Sequence, residues 1–326
     1  MTPAEAGPKR WQLVAAFAAV YLIWGSTYLA IKFAIETIPP FLMAGSRFLV
    51  SGVILYAWAR LRGAPGPSRV HWKSAAIVGV LLLLGGNGGV VWAEQRVPSG
   101  VAALIVAIVP VWIAIMEWLR PGGKKPGWQV TAGLVAGTFG LLLLASPGEA
   151  ALGARVDLIG AGALVIATLC WATGSIKAKH SPLPDSPLLA TGMEMLAGGA
   201  ALTLLGVLTG ELGQVNVGAM SDKSLLSLLY LTTFGSLVGF TAYVWLLKVG
   251  SPTRAATYAY VNPVVAVFLG WAFANEPITP RTILAALVIV GGVVLITSAR
   301  SRGPRPEAVT PPAAAPPVPQ RLIADR

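Results

Sequence analysis

Ten apolar runs of roughly twenty residues dominate the chain, and its polar groups are largely confined to the stretches between them. A hydrocarbon core about 30 Å thick takes about 20 helical residues at about 1.5 Å each. The runs at 11–33, 40–59, 74–92, 100–119, 128–145, 158–176, 188–209, 225–247, 255–273 and 283–298 therefore predict transmembrane helices. A membrane barrel would instead alternate over about ten residues per strand. Composition points the same way. Hydrophobic residues make up 55% and charged residues 11%, with a mean hydropathy of +0.72, where a soluble domain carries about 25% charge. Thirteen Asp and Glu leave little to solvate a globular surface, which argues against an ordinary soluble enzyme. The first run is long, lacks a clear small-residue cleavage site and is followed by nine more, so it reads as a helix rather than a signal peptide. Residues 301–326, with Pro311, Pro312, Pro316, Pro317 and Pro319, read as a disordered cytoplasmic tail.

The net charge of +11 and a pI near 10.1 could suggest a nucleic-acid partner, but the basic residues form no face or stripe. They follow the membrane pattern instead. With the N-terminus in the cytoplasm, the inner segments hold Lys9 and Arg10; Arg60, Arg62, Arg69 and Lys73; Arg120, Lys124 and Lys125; Lys177 and Lys179; Lys248 and Arg254; and five arginines from Arg300 onward. The outer loops hold one each: Lys32, Arg96, Arg155, Lys223 and Arg281. The positive-inside rule then predicts both termini in the cytoplasm of a multi-pass protein of the cell (inner) membrane. An extra or missing span would destroy the alternation.

The only cysteine, Cys170, allows no intrachain disulfide and reads as a small buried hydrophobe. His71 and His180 fall in expected loops, and no His/Cys/carboxylate set has metal-site spacing. There is no phosphate-binding loop, GxSxG or HExxH, so neither cofactor nor metal is expected.

The two halves resemble each other. At an offset of 147, Trp24, Pro40, Gly45, Leu49, Gly52 and Leu55 match Trp171, Pro187, Gly192, Leu196, Gly199 and Leu202. After the seventh run the offset becomes 153, and Gly86, Trp92, Pro110 and Trp118 match Gly239, Trp245, Pro263 and Trp271. Five spans per repeat is an odd number, so the second half must enter from the opposite side. The expected architecture is all-α and membrane-embedded. Residues 1–147 form one five-helix repeat and 148–300 a second, inverted one, with a substrate site near the midplane between them.

Several segments are familiar as a set. They are Trp24-Gly25-Ser26-Thr27-Tyr28, Pro39-Pro40, Ala44-Gly45-Ser46-Arg47-Phe48, Asn87, Ala93-Glu94-Gln95, Val97-Pro98-Ser99-Gly100, Ser251-Pro252, Tyr260-Val261-Asn262-Pro263-Val264-Val265-Ala266, Leu269-Gly270 and Glu276-Pro277. Over about residues 11–300 the chain resembles EamA-type transporters of the drug/metabolite transporter superfamily. The resemblance implies a ten-helix secondary carrier, often an exporter of small metabolites such as amino acids.

Ionisable groups at membrane depth usually face a cavity or a partner. Arg47 and Glu194 are repeat equivalents of opposite charge. They read either as a pair that fixes helix packing or as substrate or proton ligands, and under proton coupling Glu194 comes first. Glu117, beside Arg120, reads as snorkelling to the interface, and Glu94 as a residue of the cavity mouth. Trp24 and Trp171 could line a central cavity together with Tyr28, Tyr243, Tyr258 and Tyr260, though about half of this set are expected to be ordinary interface anchors. Ser26, Thr27, Thr173, Ser175, Asn87 and Asn262 could supply hydrogen bonds there, or merely join helices. Pro110 and Pro263, each expected in mid-helix, are candidates for gating kinks. The spacings Gly85-xxx-Gly89, Gly133-xxx-Gly137 and Gly235-xxx-Gly239 predict close helix packing.

The leading expectation is a secondary transporter that moves a small amino-acid-like or drug-like metabolite by alternating access, with export favoured by the resemblance. Its expected partners are the small-molecule substrate and the lipid bilayer, with proton coupling an option, no nucleic acid, and a monomer as the functional unit. Alternatives are uptake by the same machinery, or a membrane receptor or enzyme. No nucleophile–base set at membrane depth favours the enzyme.

Overall fold

The computed structural model describes residues 8–97, 99–123, 125–145, 157–274 and 280–298, and among these the chain is all helical. In order come α1 (Arg10–Ala34), α2 (Pro40–Leu61), α3 (Arg69–Ala93), α4 (Ser99–Val106), α5 (Val109–Leu119) and α6 (Trp128–Ala145). Then follow α7 (Leu158–His180), α8 (Pro187–Leu208), α9 (Asp222–Val249), the short α10 (Pro252–Ala255), α11 (Tyr258–Ala274) and α12 (Pro280–Ser298). Among the described residues six helices are long and apolar enough to cross a membrane: α1, α2, α3, α7, α8 and α9. The tail expected at 301–326 and the Glu276-Pro277 motif lie outside the described residues.

Two of the expected spans are not single rods. The run at 100–119 breaks at Ala107 and Ile108, where Ile108 N–H reverts to an i−3 acceptor, Ile105. Pro110, in the first turn of α5, has no N–H to give the Val106 carbonyl. The run at 255–273 breaks at Ala256 and Thr257, where the Thr257 hydroxyl takes the Arg254 carbonyl at 2.7 Å. Pro263 lies inside the unbroken α11, so the two equivalent prolines sit in different local structures. Helices α3 and α9 each contain a widened π-helical stretch, Val80–Gly88 and Leu231–Phe240. Such segments often accompany functional sites.

The most extensive packing joins α2 to α8 along a glycine seam. A methyl built on Gly52 would fall 2.9 Å from Leu196 N and 3.1 Å from Gly192 O. One built on Gly199 would fall 2.9 Å from Leu49 N and 3.2 Å from Gly45 O. Each contact becomes the other when the residues are shifted by 147. The neighbouring contacts also correspond. α1 packs on α9 and α11, while α7 packs on α3 and on α4 and α5. α2 meets α9 while α8 meets α3, and α6 pairs with α12. Gly133 and Gly292 meet backbone to backbone in that last pair, as the small-residue spacing predicts.

One loop reaches back across the molecule. Past α8, at the start of the 3-10 turn Glu211–Gln214, the buried Glu211 carboxylate accepts the Phe41 and Leu42 N–H groups at 3.1 and 2.9 Å. It thus satisfies free donors at the N-terminus of α2, where the helix dipole favours an anion.

Candidate functional site

A cavity of ≈ 70 Å³ lies where α1, α2, α3, α7, α9 and α11 converge with the junction of α4 and α5. Trp24, Thr27, Tyr28, Arg47, Phe48, Asn87, Thr168, Trp171, Ser236, Phe240, Tyr258 and Asn262 line it, together with small and aliphatic residues. A water needs about 10–15 Å³ by this kind of measure, so the space holds several.

Trp24 is the hub of the wall. Its ring meets Tyr258 at 4.8 Å, Tyr243 at 5.1 Å and Trp171 at 5.5 Å, two of these edge-on. Its Nε1 donates to the Gly235 carbonyl at 3.0 Å. Glycines let both indoles approach. A methyl on Gly239 would lie 2.5 Å from Trp24 Nε1, and one on Gly86 2.7 Å from Trp171 Cε3. These contacts too interchange under the repeat offsets.

Arg47 is 3% exposed. Its guanidinium sits 4.4 Å from the Phe48 ring centroid, and its Nη2 donates to Asn87 Oδ1 at 2.6 Å. Its Nε has no partner. Ser236 Oγ and Asn262 Oδ1 are likewise buried and unpartnered. A charge held among rings with spare donors and acceptors is a receptor for a polar group on a ligand, because unmet buried polar atoms carry a desolvation penalty. Among the described residues no cluster of His, Cys, Asp and Glu suits a metal.

Of the other residues singled out by sequence, Ser175 and Tyr243 stand behind Trp171. Tyr243 Oη lies 2.6 Å from Ser175 Oγ and accepts from Trp171 Nε1 at 3.2 Å. Ser26 bonds Tyr230 at 2.5 Å, away from the cavity. Tyr260 is turned towards α6, its ring 3.1 Å from a methyl built on Gly137. Glu94, just past α3, is buried, and neither of its oxygens has a donor. It is in electrostatic reach of Arg47, Lys32 and Tyr28. Arg47 and Glu194 form no ion pair; Glu194 is fully buried on α8 outside the lining, with both oxygens unpartnered. Glu117 is more engaged than snorkelling requires, accepting from Thr253 Oγ1 at 2.8 Å.

Sequence reasoning missed Phe48, Thr168, Ser236 and Phe240. Phe240 was within reach, since it is the repeat equivalent of Asn87, and Ser236 lies inside the Gly235-xxx-Gly239 spacing. Thr168 carries no such signal, because its hydroxyl bonds back to Val165 O like many helical threonines.

The model of the EamA-like transporter family matches twice, over residues 10–146 and 158–298. The chain is 38% identical over 301 residues to an uncharacterized inner membrane transporter of Escherichia coli, YedA, covering 92% of this chain and 95% of that one. It is 27% identical to an uncharacterized Bacillus subtilis transporter, YoaV (87% and 96% covered), and 27% identical to a chloroplastic WAT1-related protein of Arabidopsis thaliana (85% and 67% covered). A solved crystal structure, 20% identical, has the same fold with a TM-score of 0.71, covering 89% of this chain and 97% of that one.

Proposed function

Because the chain belongs to the EamA-like transporter family, we propose that this membrane transporter is a ten-span secondary carrier of the inner membrane, built from two inverted five-helix repeats. The double family match, the reciprocal glycine seam and the interchanging tryptophan contacts support that reading. Both termini face the cytoplasm, on the loop charges. The carrier works as a monomer by alternating access and exports a small amino-acid-like metabolite. With no phosphate-binding loop in the sequence, it is driven by a gradient or works as a facilitator.

The observation that carries the site is Arg47, an enclosed guanidinium with a free Nε, set among Trp24, Tyr28, Trp171 and Tyr258. The guanidinium takes a carboxylate and the rings take the apolar part of the substrate. Asn262 and Ser236 complete the polar contacts. Most substrates are larger than several waters, so binding moves the aromatic wall.

The test is ligand-linked stabilisation of the detergent-purified protein against amino acids, nucleosides, sugars and cationic drugs. A carboxylate ligand at one hundred times its Kd should add about 2.7 kcal/mol, and Arg47→Ala should abolish the gain. A hit that Arg47→Ala leaves intact removes this site. Counterflow in vesicles with gradients of either sign then separates export from uptake.

A further inference from the structure

Glu194 sits outside the cavity, 0% exposed, and both of its carboxyl oxygens lack any hydrogen-bond donor. An isolated buried carboxylate is costly, more so than almost any other side-chain burial. Helix α8 is packed by α2, α3, α9 and the turn that begins at Glu211. Of their ionisable groups Tyr243, on α9, is the one in electrostatic reach of Glu194. The others are engaged or directed elsewhere. Arg47 donates to Asn87, Tyr56 lies 6.0 Å from the Trp72 ring, Arg60 bonds Ala64 O and Lys248 bonds Asp185 O. Tyr230 bonds Ser26, His71 closes on Ser68, and Glu211 caps α2. Arg69 and Lys73 of α3 and Asp222 and Lys223 of α9 are exposed or lie at helix ends. No cation therefore neutralises the carboxyl among the described residues.

The Tyr243 hydroxyl is already committed. Ser175 Oγ donates to Trp171 O at 2.7 Å, so its bond with Tyr243 runs from tyrosine to serine, and Trp171 Nε1 donates back to Tyr243. This closed ring fixes the indole that walls the cavity.

We propose that Glu194 is a proton-binding site separate from the substrate cavity and coupled to it through Tyr243 and Trp171. In the conformation seen here the carboxyl carries its proton and leaves the ring undisturbed. When the O–H bond breaks, the proton passes to water and the carboxylate needs a donor. The Tyr243 hydroxyl, in electrostatic reach, is the donor that can turn to it. Taking its proton ends the Tyr243–Ser175 hydrogen bond, opens the ring and leaves Trp171 held only by its own bond to the Tyr243 oxygen, which loosens the wall. The role rests on the carrier reading; the binding site itself is tested without it.

The test is infrared spectroscopy and thermal melting of the full-length detergent-purified protein across acidic to mildly alkaline pH, in sodium and in choline salts. The expected result is a protonated-carboxyl stretch that Glu194→Gln removes, and a melting temperature that falls with rising pH in the wild type but much less in Glu194→Gln. Spectra and melting curves unchanged by Glu194→Gln overturn the proposal. Rescue of the alkaline loss by sodium but not by choline overturns it in favour of a metal cation. If Glu194→Gln does not fold, Glu194→Asp decides: a shifted stretch supports the site and an unshifted one overturns it. Ligand stabilisation lost in Arg47→Ala with the pH response intact leaves both readings standing. Absence of any ligand response, with the pH response intact, strikes the carrier reading alone.

Discussion

Single residues do unequal work around the cavity. Trp24 is held by rings on three sides and by one hydrogen bond, so Trp24→Phe should lose about 1 kcal/mol from the unpaired Gly235 carbonyl. It should also weaken ligand binding, and melting with and without ligand separates the two effects. Trp24, Tyr28, Arg47 and Asn87 were legible in the sequence as lining candidates because large aromatic, amide or charged groups inside apolar runs stand out. Ser236 was not, because a helical hydroxyl usually satisfies itself on the preceding turn, and only packing reveals that this one does not. Nor was the separation of Arg47 from Glu194. Matching positions at an offset of 147 say how far along its helix a side chain lies, but not which neighbour it meets.

Among the elements, the α2–α8 seam makes a sharp prediction. Gly52→Ala and Gly199→Ala each drive a methyl against backbone at 2.9 Å, and each should destabilise by about 1–3 kcal/mol, by similar amounts. Gly162→Ala and Gly291→Ala meet open space and should be close to neutral in the same melting assay. Removing the charge that caps α2, by Glu211→Gln, should cost about 1 kcal/mol. The long helices could be read from hydropathy, since twenty apolar residues leave few other solutions. The π-helical stretches could not, because adding a residue to a turn leaves the hydropathy profile unchanged. The breaks at Ala107 and Ala256 were hidden for a related reason. A proline marks where a donor is missing, but surrounding contacts decide whether the helix parts there, as at Pro110, or runs on, as at Pro263.

For the whole molecule, the loop charges predict that a fluorescent reporter fused after Arg326 is active in the cytoplasm, whereas a periplasm-dependent phosphatase fused there is not. The exposed pair Lys223–Glu36 should contribute under about 1 kcal/mol, with any contribution shrinking in high salt. The glycine seam has a wider consequence. Contacts that become each other when the two helices trade places, as Gly52 on Leu196 and Gly199 on Leu49 do, cannot favour either of two conformations that are related by the same trade. Packing there is degenerate. Any preference between such arrangements comes from the positions where the trade fails, among them Arg47 against Glu194, Tyr56 against Thr203, and Asn87 against Phe240. Under the proposed alternating access, making such unlike pairs alike should narrow the energy difference between the end states, so a directional bias would reside in the broken correspondences rather than in the shared seam.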